Sequence, residues 1–446
     1  MSLRSLLMPT VSQWWLSRQR LEALRRKAEH KRVAQGQRHT VHYFHQTDDP
    51  YSALLVQSLP RFMQRYDVDV HAHVVNPPDA AAAPDRERLI AYSRKDAQWL
   101  AKRHGLVFHD FQGQPAAEIT QDTTARLVHA IAQGNFVTAA DPLSRALWHT
   151  LSRDLDPHAR TDLTAWQQAS PTDVRAHLVA SDRLRQQWGH YAGATLYYAG
   201  EWYGGVDRLH HLEQRLQALN AARHGVTGLL FAPDTATQWP QATHSPVPAV
   251  DFFFSLRSPY SAIAAQRLFA LANPAGITVN LRFVLPMVMR GLPVPRQKRQ
   301  YISLDAAREA HRLGVPFGRI NDPVGRPTER GLAVMPLAQS QGCGQAYVLS
   351  FMQGVWAEGV DAGSDKGLRL ITERAGLNWD AVQGALDDPA WRQTAEINRT
   401  EMLDLGLWGV PSFRFQNTAV WGQDRLIAIE EALREFTTLA GHRLNL

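Results

Sequence analysis

The sequence predicts an α/β protein that carries its fold twice. A strand-to-helix opening at Val250-Asp251-Phe252-Phe253-Phe254-Ser255-Leu256-Arg257-Ser258-Pro259-Tyr260-Ser261-Ala262 recurs, without a gap, from Val41 to Ala53 at an offset of 209. The register then persists: Pro77 falls on Pro286, Pro84 on Pro293, Tyr92 on Tyr301, Asp96 on Asp305, Gly105 on Gly314 and Phe108 on Phe317. Self-similarity over about seventy residues means two copies of a domain, since solenoid repeats are shorter. The length agrees, because 446 residues exceed one ordinary hydrophobic core and roughly 200 residues per copy is a usual domain size.

The elements follow in order. Val250 to Phe254 is a short apolar, aromatic run suited to a buried strand. Ser258 and Pro259 are a helix start, serine as N-cap and proline at the first helical position, and the helix is expected to run to about Leu271. Thr278 to Leu285 alternates as a second strand, and Gly291, Pro293 and Pro295 mark a loop. From Gln297 to about Leu405 the chain reads as helical, with stops near Gly314 and Asn321. Ser412 to Phe415 and Ala419 to Trp421 form a hairpin turned at Asn417-Thr418, and a last helix follows through Glu435. The first copy closes alike, with a hairpin of Thr195 to Tyr198 and Glu201 to Tyr203. A Pro-, Thr- and Gln-rich stretch around residues 233–248 reads as a semi-extended linker.

Hydrophobic residues make up 44% and charged residues 20%, the balance of a globular chain without a stretch of the ~20 apolar residues that a membrane-spanning helix needs. Lys plus Arg number 48 against 42 Asp plus Glu, a formal charge of +6, and much of the excess lies in residues 1–38. That segment reads as a solvated basic helix. Trp14, Trp15, Leu16, Leu21 and Leu24 beside the arginines leave open an interfacial anchor or a transit peptide, while Pro9 breaks the apolar start that a secretory signal requires. Cys343 is the sole cysteine, so no intrachain disulfide forms and a reducing, cytoplasmic location is expected. There is no His-Glu-x-x-His, no cysteine ligand set and no glycine-rich phosphate loop, so neither a metal site nor a nucleotide fold is expected. Adjacent His210 and His211 are not expected to share a helix face, and nucleic-acid binding would rest on net charge alone.

Three motifs carry a resemblance. Phe254 to Ser261, Trp408-Gly409-Val410-Pro411-Ser412-Phe413 and Trp421-Gly422-Gln423-Asp424-Arg425-Leu426 together resemble 2-hydroxychromene-2-carboxylate isomerases and the kappa-class glutathione transferases, in the DsbA-like branch of the thioredoxin superfamily. The resemblance spans about 250 to 440 in full and 40 to 215 in degraded form. It implies two tandem thioredoxin-like (DsbA-like) domains, each with a helical insertion. The expected boundaries are a basic segment at 1–38, a degenerate domain at 39–225, a linker at 226–248 and a glutathione-binding domain at 249–446.

A serine at a helix N-cap sits beside unpaired N–H groups and the positive end of the helix dipole, where an anion is stabilised. DsbA-like oxidoreductases place a cysteine at this start; Ser258 stands here, so disulfide exchange by the protein's own thiols is excluded. The resemblance implies that Ser258 is the catalytic residue, hydrogen-bonded to the sulfur of glutathione as cofactor. It further implies that Val410-Pro411 is a cis-proline turn offering an extended peptide a backbone edge, and that Gln423 and Asp424 hold the γ-glutamyl end. Lys298 is expected near the glycine carboxylate, and Arg296, Tyr301 and Trp408 near an acidic substrate. Met287 and Met289 are expected to pack after the second strand.

The reading is a glutathione-dependent isomerase acting on a conjugated or aromatic keto acid through a transient glutathione adduct. The alternatives are a kappa-like transferase or peroxidase, and a non-catalytic glutathione-binding or scaffold protein. Partners are then glutathione and a small acidic molecule, with no nucleic acid and no integral membrane association. The tandem is expected to act as an internal pseudo-dimer, with a homodimer as the alternative. Asp49 replaces Ser258 and Thr195 stands near the place of Pro411, so the first copy is expected to be folded and catalytically silent.

Overall fold

Two helices precede the first sheet: α1 (Leu3–Trp15) and α2 (Arg18–Ala34). The first copy then runs β1 (His39–His45), α3 (Pro50–Arg65), β2 (Val68–Val74), α4 (Arg86–His104), α5 (Ala117–Ala132), α6 (Phe136–His149), α7 (Pro171–Gln187), β3 (Thr195–Tyr198), β4 (Glu201–Gly204) and α8 (Leu209–Ala218). The second runs β5 (Val250–Phe254), α9 (Pro259–Ala275), β6 (Val279–Phe283), α10 (Arg296–Leu313), α11 (Arg326–Ser340), α12 (Gly344–Gln353), α13 (Asp365–Arg374), α14 (Trp379–Ala385), α15 (Trp391–Asp404), β7 (Ser412–Phe415), β8 (Thr418–Trp421) and α16 (Leu426–Leu444). This computed structural model describes residues 3–110, 113–149, 165–233, 238–241 and 247–444. Residues 234–237 and 242–246 of the expected linker lie outside the described residues.

Each copy holds a four-stranded sheet, in the orders β2-β1-β3-β4 and β6-β5-β7-β8. The first two strands pair in parallel, because a helix crosses over between them, and the hairpin adds antiparallel. β5 is buried along its whole length, as its apolar, aromatic residues predict for a central strand, with its one charge, Asp251, held by Arg414 at 2.6 Å. Phe252, Phe254, Phe269 and Phe413 centre the second core, and Tyr43, Phe62, Tyr66 and Tyr203 the first. α9 continues to Ala275, past the expected end at Leu271. Pro274 falls in the last turn, and Gly276 closes the helix with φ +68°, where a residue without Cβ pays least. The second hairpin turns at Gln416-Asn417, one residue earlier than expected, since Phe415 pairs with Thr418.

The chain divides into two compact units, one of Met1–Leu21, Asp234–Val294 and Ile302–Leu446, the other of Glu22–Pro233 and Pro295–Tyr301. These differ from the expected boundaries in three places. The N-terminal segment is split, because α1 packs on the second copy: the Ile320 N–H donates to Ser12 Oγ at 2.8 Å, Leu16 is buried, and Pro9 fills the space beside Gly359. Of the expected apolar stripe, Leu16 therefore turns inward while Trp14 is 64% exposed. The linker contributes to both cores at its ends, Phe231 to the first and Trp239 to the second. The first turns of α10, Pro295–Tyr301, belong with the first copy.

Candidate functional site

The site of the second copy begins where β5 ends. The Ser258 N–H donates to Ser255 O at 3.0 Å, a tight turn that delivers Ser258 as the N-cap of α9 with Pro259 at the first helical position. Ser258 Oγ accepts from the Ser261 N–H at 3.2 Å and reaches Val410 O at 3.5 Å. One side chain thus joins the helix start to the loop before β7. The Val410–Pro411 peptide is cis, as the resemblance implies. The Gly422 N–H donates to Pro411 O at 2.8 Å, and Ser412 Oγ donates to Gly409 O at 2.6 Å, so the loop is tied on both sides. The Val410 N–H makes no hydrogen bond among the described residues.

Trp408 is buried, with its ring 5.1 Å from that of Trp421. A Cβ on Gly409 would lie 3.1 Å from Trp421 Nε1, so glycine here lets the indole close over the loop. Trp408 is a wall of this loop by packing. On the helical side, Tyr260 donates to Asp305 Oδ2 at 2.7 Å, and Arg308 binds the other carboxylate oxygen at 2.6 Å. Arg257, next to Ser258, is paired with Asp322 at 2.9 Å.

Other expected site residues are placed differently. Gln423 is buried; Arg267 donates to its main-chain and side-chain oxygens at 2.7 and 2.5 Å, and its amide N–H groups bind Glu309 at 3.2 Å and Asp424. Its side chain is therefore engaged inside the protein, with Arg312 on Glu309 at 2.7 Å completing the network. Asp424 is half-buried at the same helix start. Lys298 does not follow the expectation. Its ammonium is buried and donates to Ala82 O at 2.7 Å, with the Tyr191 ring 5.8 Å away, and burial lowers its pKa to about 8. Tyr301 lies edge-on to His190 at 4.5 Å, and Arg296 is exposed. All three fall within Pro295–Tyr301, which packs with the first copy. Met287 and Met289 are half-buried in a 3-10 turn after β6. Cys343 is half-buried and precedes α12.

Sequence reasoning missed Arg267 and Glu309 as the holders of Gln423, since nothing in linear order links α9 and α10 to α16. The Tyr260–Asp305 bond left a signal. Tyr51 donates to Asp96 at 2.9 Å in the first copy, and both pairs keep the repeat offset.

The first copy shows what the same frame does without the serine. Asp49 caps α3, accepting from the Ser52 N–H and Oγ at 2.9 and 3.0 Å. The residue in the place of Pro411 is Ala194, not Thr195: Gly205 N donates to Ala194 O at 2.7 Å as Gly422 N does to Pro411 O, and Thr195 pairs with Phe44 as Ser412 does with Phe253. Gly193 then matches Val410, and a Cβ there would meet Gln46 Cβ at 2.5 Å. The first copy fills with Gln46 the place that the second leaves small with Ser255. His210 and His211, not expected to share a helix face, have ring centres 4.0 Å apart with the rings tilted by 37°.

Comparison with known proteins matches residues 249–434 to the DSBA-like thioredoxin domain family. Residues 249–434 thus have a DsbA-like thioredoxin fold. Over 192 residues, 41% of this chain, the sequence is 27% identical to 2-hydroxychromene-2-carboxylate isomerase of Pseudomonas putida, covering 93% of that protein, and 26% identical to that of Sphingobium xenophagum, covering 97%. A solved 2-hydroxychromene-2-carboxylate isomerase matches 44% of this chain and 98% of its own at 24% identity, with a TM-score of 0.39. In sequence the second copy is similar to these isomerases over nearly their whole length. Among the described residues, no helix is long and apolar enough to cross a membrane.

Proposed function

We propose that the DSBA-like domain is a glutathione-dependent isomerase acting on a conjugated or aromatic keto acid. The observation that carries this reading is the meeting of the Ser258 hydroxyl, at the N-terminus of α9, with the backbone of Val410 at 3.5 Å. A hydrogen bond that long yields readily to a better acceptor. The Ser258 hydroxyl would turn from Val410 O to a sulfur anion, which the helix N-terminus also stabilises. The unpaired Val410 N–H would receive a backbone carbonyl of an extended tripeptide. Asp424 would accept from the ligand's ammonium group. The residues therefore fit glutathione. When bound, glutathione would supply the nucleophilic sulfur that adds to a conjugated carbon and departs after bond rotation.

The chain's own part is to hold the sulfur as thiolate, which Ser258 and the helix dipole favour by lowering a thiol pKa from its usual value of about 8.5. Trp408 and Trp421 would wall an aromatic substrate. Lys298 is left out, because its ammonium is engaged by Ala82 O. A cytoplasmic setting belongs to the same reading, since glutathione is kept reduced there and the lone Cys343 needs no oxidising compartment.

The test is turnover of 2-hydroxychromene-2-carboxylate, the compound in the relatives' name, followed with and without glutathione in wild type and Ser258→Ala. Turnover that needs glutathione and collapses in the variant is expected. Turnover indifferent to both, or none at all, would overturn the reading. Accumulation of a stable glutathione conjugate would assign the domain to transferases instead.

A further inference from the structure

Four imidazoles gather on one face of the first copy's sheet. His71 and His73 are two apart on β2, and residues i and i+2 of a strand share a face. Strand register sets His42 of β1 beside His71 and Phe44 beside His73. The result is a His-x-His pair on one strand with a third histidine on its neighbour. His42 Nδ1 lies 3.0 Å from His73 Nε2, and the His71 ring stands edge-on to that of His42 with centres 5.4 Å apart. His177 of α7 also reaches this face, but its Nε2 accepts from the Val74 N–H at 3.1 Å. Asp69, on the same row of β2, is paired with Arg38 at 3.1 Å.

The equivalent positions of the second copy are filled differently. There Asp251, Asn280 and Arg282 replace His42, His71 and His73. Asn280 donates to Asp251 at 2.9 Å, and Arg282 and Arg414 lie 3.5 and 2.6 Å from it. That face is closed by opposite charges. In the first copy the same face instead carries imidazoles, which ligate metals in their neutral form.

We propose that His42, His71 and His73 form a tri-histidine site for a borderline divalent cation of the Zn2+, Co2+ or Cu2+ kind. Imidazole suits these ions over Mg2+ or Ca2+, which prefer oxygen. Two nitrogens bound tetrahedrally at about 2.0–2.1 Å stand about 3.3 Å apart, close to the 3.0 Å between His42 and His73. On binding, the hydrogen shared by those two nitrogens moves to the far nitrogen of its own ring, so both facing nitrogens present lone pairs and no proton is released. His71, exposed on the edge strand, completes the set by side-chain rotation and leaves a fourth position for water. Phe44 stacks on His73 at 4.8 Å and Trp188 stands edge-on to His42 at 4.7 Å, an apolar shell that orients the ligands.

The test is titration of the chelator-treated full chain with Co2+, read by its visible ligand-field band and by calorimetry, with Zn2+ as competitor. One equivalent is expected to develop a tetrahedral-type band in wild type and in His177→Gln, displaced by Zn2+, and absent in His42→Gln, His71→Gln and His73→Gln. His71 is exposed, so its variant reports on ligation even if a buried substitution unfolds the domain. No band in wild type, or a band unchanged in His71→Gln, would overturn the proposal.

Discussion

At the N-cap that follows the first strand of each copy, a hydroxyl and a carboxylate meet opposite demands. Ser258 caps α9 while its hydroxyl keeps only a 3.5 Å contact to spare for a ligand. Replacing it with alanine should cost about 1 kcal/mol of stability through the lost cap, and should weaken glutathione about tenfold or more, the worth of a hydrogen bond to a charged group. Calorimetry with glutathione checks this, and undiminished affinity would count against the site. Asp49 is held by its neighbours instead: burial raises its carboxyl from 3.8 to about 6, against the bonds from Ser52. Between about pH 4 and 6 the folded state keeps a proton that the unfolded state has released, so stability falls as pH rises through that window. An Asp49→Asn variant would retain a capping oxygen without titrating. It should flatten the dependence of Tm on pH between 4 and 6 and raise Tm at pH 7, by no more than about 3 kcal/mol in stability; a Tm profile that still follows wild type would reject this origin.

The two sheets differ in the residues that line one face. β1 and β2 set His42 and His73 side by side, whereas β5 and β6 contain no histidine and close the same face with Asp251 and its two arginines. Burial lowers both imidazoles from 6.5, to about 4 and about 3. The unfolded chain therefore binds protons that the folded one does not, and stability present above about pH 6.5 is lost as pH falls toward 4. In chelator-containing buffer, hydrogen exchange should show β1 and β2 losing protection at pH 5 relative to pH 7, after correction for intrinsic rates, while β5 and β6 keep theirs. Equal behaviour of the two sheets would refute the assignment. The strands themselves were legible in sequence: β5 spans the apolar run from Val250 to Phe254, and the duplicated Ser/Asp-Pro start marks both helices. The end of α9 was not, because a proline in a last turn looks like a stop until the Gly276 cap beyond it is seen.

For the molecule as a whole, the repeat explains what the two copies share and α1 explains what it hides. The offset of 209 carries through the opening strand, helix and second strand, then becomes 217 at the closing hairpin, so the inserted helices absorb the difference. At the offset of 217 the counterpart of Pro411 is Ala194, one residue before the expected Thr195. α1, expected to be a solvated basic helix, packs on the second copy through Ser12 and Leu16. Deleting residues 1–17 from the full chain should destabilise the second copy by about 2–4 kcal/mol, from one buried leucine and one buried hydrogen bond. Resolved calorimetric transitions test it: the prediction fails if the second copy melts unchanged.

By itself the sequence determined the α/β class and the Ser258-Pro259 helix start, because periodicity and turn chemistry are local properties of the chain, and the resemblance of its motifs implied the cis peptide at Val410-Pro411. Only the tertiary structure decided that Lys298 faces Ala82, that Gln423 is engaged by Arg267 and Glu309, and that His42, His71 and His73 share a sheet face. Those outcomes depend on which strands pair and which helix faces meet, and such contacts between residues far apart in sequence leave no periodic trace along the chain.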